Sequence, residues 1–385
     1  MRRRLLPDQV RRALLLAGIG AGLSGTAAAQ SPPDAKKPPR LTFPRDFASH
    51  PQSRIEWWYI TGHGRSGAGS RMRDYGFQIT FFRSRVEPTQ QMASRFAARQ
   101  LLFAHAAVTD IQGQRFWHDQ RIARAGFGIA QASETDTAVV LRDWSLERSN
   151  GVYVARIAAG DFALNLRFAP TQPLLLQGED GLSRKGPEPQ QASHYYSQPQ
   201  LAFDGDIRVQ GQLQPLAGAG GASANADFRP GDGAAWLDHE WSDSFMHPLA
   251  VGWDWIGMNL FDGSALTAFR LRDQSGAALW DGGSFRRSGR ADAGASIFER
   301  GDTVFQALRF WKSARTQTSY PVEWLVRTPG GDYRARAVLD DQELDSRGST
   351  GAIYWEGLCE LFDDTQRRVG RGYLEMTGYA KPLVL

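Results

Sequence analysis

The hydrophobic pattern of this chain alternates over short runs and shows little of the spacing typical of long helices. Alternation with a period of two is the pattern of strands that are buried on one face. Short turns such as Phe261-Asp262-Gly263 separate the runs. The pattern therefore predicts strands over residues 56–62, 75–82, 101–110, 138–146, 153–157, 162–168, 201–212, 253–260, 264–272, 278–286, 303–311, 319–327, 333–339, 351–362 and 370–379.

Three segments depart from this pattern. Residues 85–100 are compatible with one short helix, and residues 169–200 predict a long loop that ends in His194-Tyr195-Tyr196-Ser197. Loops of this length are often functional or disordered. The Gly/Ala-rich stretch 217–224 predicts a flexible insertion beside a domain boundary. Many short strands favour an all-β sandwich or barrel, with one domain over 41–230 and a second over 231–385.

The first 29 residues are similar to a cleavable export signal. They begin with arginines, including the pair Arg11-Arg12, continue through an uncharged stretch at 13–23 and end in Ala27-Ala28-Ala29. The uncharged stretch is too short to span a membrane as a stable helix. We therefore expect a periplasmic or secreted protein, exported by the Sec or the twin-arginine route, with a disordered leader over residues 30–40.

The charge balance and the cysteine content limit the kinds of protein to which this chain can belong. The sequence holds 45 Lys/Arg and 41 Asp/Glu, and removing the five arginines and one aspartate of the export segment leaves 40 of each. A near-neutral mature chain gives little support for a nucleic-acid partner. Cys359 is the only cysteine, so no intramolecular disulfide can form, and we expect it to be a small core residue of a monomer.

Candidate chemistry is densest in Trp236-Leu237-Asp238-His239-Glu240-Trp241 and Trp253-Asp254-Trp255, which hold four tryptophans, three carboxylates and a histidine. Tryptophan is usually buried, whereas carboxylates and histidine are costly to bury unless they are partnered or used. The mixture predicts a site for acid/base chemistry on an apolar substrate. The alternative is a Trp-rich β core whose polar residues face solvent.

Strand alternation assigns the acid/base candidates to faces. Asp254 shares a face with Ile256, Met258 and Leu260, so burial in a barrel interior would raise its pKa and favour a proton donor. The alternative is a carboxylate paired with an arginine. His239 shares a face with Trp241, opposite to Asp238, and is either a general base or a hydrogen-bonded core histidine.

Aromatic residues around these groups are candidates for contact with the substrate, and Trp241 could stabilise a developing cation through its π face. The alternative for each is packing in a core or loop. The candidates are Trp241, Trp253, Trp255, Trp58, Tyr75, His194 and Tyr195.

Several kinds of site lack support in the sequence. The seven histidines include no two-His zinc helix, so a metal site would need ligands from distant strands, and we predict none. There is no Gly-x-Ser-x-Gly elbow, which disfavours an α/β-hydrolase. Walker and dinucleotide fingerprints are also missing, and we predict no cofactor.

Five motifs resemble those of the carotenoid 1,2-hydratase (hydroxyneurosporene synthase) and AttH family, and they span residues 41–385. They are Glu56-Trp57-Trp58-Tyr59, Tyr75-Gly76-Phe77-Gln78, 236–241, Gly252-Trp253-Asp254-Trp255 and 372–379. The resemblance implies two packed lipocalin-like antiparallel β-barrel domains, few short helices and an apolar pocket. Family membership indicates the fold better than the reaction.

The resemblance also implies a hydro-lyase that needs no organic cofactor. Members named carotenoid 1,2-hydratase add water to a terminal double bond of an acyclic carotenoid. Here Asp254 would protonate the alkene, Trp241 would stabilise the carbocation, and His239 or a second carboxylate such as Asp238 would deprotonate the incoming water.

Two further functions stay open from the sequence. One is a periplasmic carrier that binds a lipid or another hydrophobic ligand without chemistry. The other is an accessory protein of an ABC-type transport system or of the membrane surface. A convergent buried Asp/His pair would favour the enzyme, an Arg-paired Asp254 would favour the carrier, and a broad exposed apolar patch would favour a transport partner.

Overall fold

Alternating runs form strands almost throughout the computed structural model, which describes residues 40–67, 72–218, 232–244, 246–289 and 294–383. The first fourteen strands are β1 (Ile55–Ser66), β2 (Arg73–Arg85), β3 (Gln100–Asp110), β4 (Arg115–Arg124), β5 (Ala130–Ala132), β6 (Ala138–Leu141), β7 (Trp144–Ser149), β8 (Val152–Ala158), β9 (Phe162–Ala169), β10 (Leu175–Leu176), β11 (Leu182–Arg184), β12 (Ala192–Val209), β13 (Gln212–Ala217) and β14 (Ala234–Ser242).

The other ten strands are β15 (Gly252–Leu260), β16 (Ala265–Arg272), β17 (Ala278–Arg286), β18 (Ser296–Phe298), β19 (Val304–Lys312), β20 (Ser319–Thr328), β21 (Gly331–Ala337), β22 (Glu343–Ser346), β23 (Ala352–Phe362) and β24 (Arg368–Met376). Helical structure within the described ranges is limited to two 3-10 helices, Arg45–Phe47 and Glu87–Thr89.

The first sheet contains β1 to β14 and curls on itself. Its main order is β4-β3-β2-β1-β13-β12-β9-β8-β7-β6-β5, and β14 pairs with both β1 and β12. Contacts of β6 with β3 and β4 bring the two ends of this order together. Aromatic and aliphatic side chains fill the interior, including Trp58, Phe77, Trp144 and Phe203. We call this unit the first barrel.

The second sheet has the order β18-β17-β16-β15-β24-β23-β21-β20-β19, with β22 paired to β23. Phe298 on β18 and Phe305 on β19 lie at opposite ends of this order, yet they pack in one core with Trp324 and Trp355. The two edges therefore face the same interior, and we call this unit the second barrel. The predicted all-β, lipocalin-like architecture is confirmed.

Two local predictions are wrong. Residues 85–100 form the end of β2, the 3-10 helix Glu87–Thr89 and turns, rather than one helix. The predicted loop 169–200 contains β10, β11 and the start of β12, so His194-Tyr195-Tyr196-Ser197 lies in a strand. The partner of that strand is β14, with His194 opposite Trp241. Hydrogen bonds to a partner distant in sequence override a weak local pattern.

The change from one sheet to the other comes between β14 and β15. The predicted domain boundary at 230–231 falls outside the described residues. Although β14 follows it, this strand pairs with β1 and β12 of the first sheet. Asp238 and His239 therefore belong to the first barrel. Arg40–Leu385 forms one compact unit, in which the two sheets meet.

Other predictions concern residues that the structure leaves undescribed. These are the export signal at 1–29, the leader at 30–40 apart from Arg40, and most of the insertion at 217–224. Within the described ranges, no helix combines the length and apolar character that crossing a membrane requires.

The outer faces of β1, β14 and β15 bring the two barrels into contact. Tyr59 and Trp236 of the first sheet pack with Trp255, Leu358 and Tyr373 of the second. We call this contact region the interface. Alternation along each strand decides which side chains enter it, and the predicted faces are confirmed. On β14, Leu237 and Trp241 lie in the core of the first barrel, as the alternation requires.

Candidate active site

Asp238 lies on the interface face of β14, where three donors surround its carboxyl group. Tyr195 donates its hydroxyl to Oδ2 at 2.9 Å, while Ser197 and the indole of Trp236 donate to Oδ1 at 2.5 and 2.7 Å. Ser197 is its cross-strand neighbour on β12. Burial raises the pKa of Asp238 to about 7, although these hydrogen bonds oppose the rise. The group can therefore gain or lose a proton near neutral pH.

Glu240 follows on the same face and is paired with a buried lysine. The ammonium nitrogen of Lys185 lies 3.2 Å from Oε1, and Ser193 donates a short hydrogen bond to the same oxygen. Burial raises the pKa of Glu240, and the charge of Lys185 opposes the rise. Lys185 also lies 4.2 Å from the centre of the Phe269 ring, a cation–π contact across the interface.

Glu356 and Glu375 face these groups from the second sheet. They are direct cross-strand neighbours on β23 and β24. Burial and then the charge of Glu375 raise the pKa of Glu356 well above its usual value. The pKa of Glu375 is also raised, chiefly by burial and then by the negative charges of Glu240 and Asp238. Glu375 is therefore close enough to Glu240 and Asp238 for their charges to raise its pKa, and close enough to Glu356 to raise that of its neighbour.

Unsatisfied polar atoms and aromatic walls complete the interface group. The Tyr59 hydroxyl and Oε1 of Glu356 have no hydrogen-bond partner of ordinary geometry within the described ranges, but the two side chains contact each other, and this contact opposes the rise that burial causes in the pKa of Glu356. Gln78 of β2 donates to the other oxygen of Glu356 at 2.7 Å. Tyr59 packs edge-on against Trp255, with ring centres 5.5 Å apart. The two sheets thus bring a carboxyl group, a phenol hydroxyl and aromatic rings to the same interface.

This arrangement combines proton donors, proton acceptors and apolar surface. Trp253 donates its indole N–H to Glu375 at 2.9 Å, and both residues are only partly buried, which marks the side of the group nearest to solvent. A neutral carboxyl group beside aromatic rings can protonate an apolar substrate, and a neighbouring carboxylate can accept a proton from water.

Asp254 is placed differently from the leading prediction, and the arginine-paired alternative is correct. Its Oδ2 lies 2.7 Å from Nε of Arg270 and 3.0 Å from Nε of Arg272, while Tyr379 donates to Oδ1 at 2.8 Å. Asp254 is therefore held in an ion pair with two arginines, and its carboxylate oxygens are occupied by these contacts and by Tyr379. Asp254 faces the second barrel and does not converge with His239. By the criterion set from the sequence, these two residues favour the carrier, so the case for an enzyme depends on the interface group.

His239 lies inside the first barrel in a buried polar network. Its Nε2 is 2.9 Å from Oε1 of Glu56, and its Nδ1 is 3.0 Å from the Tyr196 hydroxyl. Burial lowers the pKa of His239. Burial raises the pKa of Glu56, but hydrogen bonds from His239 and His50 and the charge of Arg83 outweigh it, so that pKa lies below its usual range.

The remaining candidates divide between these places. Trp58 and Trp241 line the interior of the first barrel beside His239, with ring centres 4.8 Å from its imidazole, and His194 stacks on Trp241. Tyr75 is buried in the core of the first barrel, where its hydroxyl accepts from Gln214 at 2.7 Å and borders a surface cleft of about 290 Å³. Only Asp238, Trp253, Trp255 and Tyr195 belong to the interface group. Cys359 is fully buried in the core of the second barrel, as predicted.

Three carboxyl groups of the interface were not singled out by the sequence. Glu240 stood in the Trp-rich segment, and alternation placed it beside Asp238. Glu375 stood in the closing motif, one residue after Leu374 of the second core. Glu356 follows Trp355 in the same way. Because side chains alternate along each strand, these carboxylates lie on the face that points away from the barrel core. Only the packing of the two sheets shows that this outer face is buried.

Comparisons with known proteins place the chain in a family. The AttH-like family model matches residues 34–379. A crystal structure of a Nitrosomonas europaea protein assigned as AttH is 43% identical, covers 89% of this chain and 98% of that one, and gives a TM-score of 0.77.

Kievitone hydratase from Nectria haematococca has a related fold, with 13% identity, coverage of 89% of this chain and 94% of that one, and a TM-score of 0.66. Comparison with curated proteins gives no significant match. The family model and the similarity to the Nitrosomonas protein together establish that this chain belongs to the AttH-like family.

Proposed function

We propose that this protein is a hydratase-type lyase that adds water to, or removes it from, a hydrophobic substrate held at the interface. The observation that carries the proposal is the cross-strand pair Glu356 and Glu375. Two carboxyl groups held directly opposite each other in a buried place repel when both are ionised, so the pair retains a proton at neutral pH. Family membership and the fold shared with a hydratase support this proposal.

The reaction divides between the two sheets. The neutral carboxyl group of the Glu356/Glu375 pair transfers its proton to one alkene carbon, which forms a C–H bond and leaves a carbocation on the other carbon. Trp255 stabilises that charge through its ring face. Water adds to the cation, and Asp238 on the opposite sheet accepts the water proton. The reverse sequence removes water.

The substrate class we propose is an isoprenoid or polyene with a terminal double bond, as for carotenoid 1,2-hydratase. Protonation of that terminal double bond gives a tertiary carbocation, which is more stable than the primary or secondary carbocation that an unbranched isolated alkene would give. We also propose that the chain works after export, in the periplasm or outside the cell, because its first 29 residues have the pattern of a cleavable signal.

The test is incubation of the purified protein with an acyclic carotenoid, and with lipid extracted from its own host, in water labelled with oxygen-18. We expect the wild type to add one labelled water, and Asp238→Asn and Glu375→Gln to lose at least about 100-fold of that rate. Glu147→Gln, at an exposed carboxylate, is the matched control. If the ligand binds and is recovered unchanged from the wild type and from every variant, the hydratase proposal is wrong and the carrier function is supported instead.

We further propose a peripheral association with an anionic membrane surface, through which such a substrate could enter. Phe96 and Phe127 stack at 5.6 Å on the surface of the first barrel and are 66% and 50% exposed. The guanidinium groups of Arg95 and Arg124 lie over these rings. Exposed aromatic rings beside arginines fit the boundary between lipid headgroups and acyl chains.

Vesicle co-sedimentation tests this association. We expect binding to vesicles rich in phosphatidylglycerol, weaker binding to phosphatidylcholine, and a loss of at least about five-fold in Phe96→Ala/Phe127→Ala. Phe310→Ala is the control, because Phe310 is 60% exposed on the second sheet. Equal binding of the double variant and the control variant would contradict the proposed surface.

A further inference from the structure

Three potential metal ligands meet inside the first barrel, although they are far apart in sequence. Nδ1 of His50 lies 2.8 Å and Nε2 of His239 lies 2.9 Å from Oε1 of Glu56. The three ligand atoms all lie within 4.8 Å of one another. Bonds of about 2.0–2.2 Å from zinc to nitrogen and oxygen place ligand atoms at such separations after small side-chain shifts.

Each of these side chains is also oriented through an atom that would not bind the metal. Asp46 contacts the other ring nitrogen of His50 at 3.1 Å, and the Tyr196 hydroxyl contacts that of His239 at 3.0 Å. The second oxygen of Glu56 accepts from Arg83 at 2.8 Å. Partners of this kind fix the orientation of histidine and carboxylate ligands in metal sites.

Aromatic stacking holds both imidazole rings in place. The His50 ring stacks on Trp241 with centres 3.6 Å apart and an angle of 7° between the planes. The His239 ring stacks on Trp58 at 4.8 Å and 21°. Because the rings are already fixed, metal binding would lose little side-chain entropy.

The polar surroundings of His50 give a second geometric reason for a cation. Both of its ring nitrogens lie beside carboxylate oxygens, Nδ1 at 2.8 Å from Glu56 and Nε2 at 3.1 Å from Asp46. Imidazole nitrogens and carboxylate oxygens are the mixed ligand set that ions of the zinc class bind.

We propose that His50, Glu56 and His239 bind one divalent transition-metal ion of the zinc class. The ion would link His50, in the segment that precedes β1, to Glu56 on β1 and His239 on β14. This site is separate from the interface carboxyl groups, because His239 and Asp238 point to opposite faces of β14. The outcome of the metal-binding test is therefore independent of the proposed hydratase reaction.

The test is titration calorimetry with Zn²⁺ on protein that has been treated with EDTA and desalted. We expect one ion per chain, a higher melting temperature with the metal, and visible absorption when Co²⁺ replaces Zn²⁺. Asp46→Asn should weaken binding by about 10–100-fold, and His50→Ala by more. His118→Ala, at a histidine on β4, is the control and should bind like the wild type.

Either of two results would overturn the proposal. The first is the lack of stoichiometric Zn²⁺ binding by the folded wild type, a result that depends on no variant. The second is unchanged affinity in His50→Ala, which would assign the ion to another place. His50 suits this test because its side chain is only partly buried, so its removal leaves the barrel core intact.

Discussion

Asp238→Asn tests the electrostatics of the interface, because an amide reproduces the neutral form of the acid at nearly the same volume. The amide oxygen can still accept hydrogen bonds from Ser197 and Trp236. The amide nitrogen can donate to the Tyr195 hydroxyl, which now donates to the acid. The substitution therefore removes the ionisable group and retains its contacts.

The size of the effect follows from the pKa of Asp238, which burial raises from 3.8 to about 7. Between these values the folded state keeps the proton and the unfolded state loses it, so the free energy of unfolding falls as pH rises. The fall approaches about 4 kcal/mol between pH 4 and pH 7, since each pKa unit corresponds to about 1.4 kcal/mol. Above about pH 8, where both states have lost the proton, this contribution is constant.

Urea denaturation from pH 4.5 to pH 8, in EDTA so that no metal contributes, measures the difference. We expect Asp238→Asn to show a smaller loss of stability with rising pH and to exceed the wild type at pH 8. Glu240, Glu356 and Glu375 give both proteins a remaining slope of the same sign. Asp332→Asn, at an exposed carboxylate, should follow the wild type. Parallel curves for Asp238→Asn and the wild type would refute the reasoning.

Three further predictions concern the second barrel. Asp254→Asn should lower the free energy of unfolding by about 3–5 kcal/mol in urea denaturation, because it leaves Arg270 and Arg272 without their buried partner; a loss below about 1 kcal/mol would contradict the ion-pair role. Gly372→Ala should cost at least about 1–3 kcal/mol by the same assay, because its Cβ would lie 2.0 Å from a backbone oxygen of β15; wild-type stability would show that the strands can separate. Cys359 should react with a thiol reagent only after unfolding, because it is fully buried and burial raises its pKa; rapid reaction in the folded protein would contradict this.

Strand positions and faces were predictable because alternation is a local property. The run from Trp253 has one face in the core of the second barrel and the other at the interface, as its period of two requires. The second half of β12 was predicted, but its first half, residues 192–200, was missed because the sequence there is polar and its partner β14 is distant in sequence. Its pairing with β14 provides backbone hydrogen bonds that no local pattern reveals.

The candidate site was predicted only in part, and Asp254 shows why. Its apolar neighbours on the same face indicated burial, and it is fully buried. The neutralising arginines lie on β16, where Arg270 is its cross-strand neighbour, and register cannot be read from one strand. Asp238 shares its face with Trp236 and Glu240 rather than with a run of aliphatic residues, and it is nevertheless buried, where it meets three neutral donors.

The sequence by itself determined the all-β class, the faces of the main strands and the family, because all three depend on residue types at fixed local spacing. Only the tertiary structure decided which faces meet. It placed Glu375 beside Glu356 and close to Asp238 across the interface, and it joined His50, Glu56 and His239 inside the first barrel. Protonation depends on distances of a few ångströms between side chains, and packing of strands that are remote in sequence sets those distances.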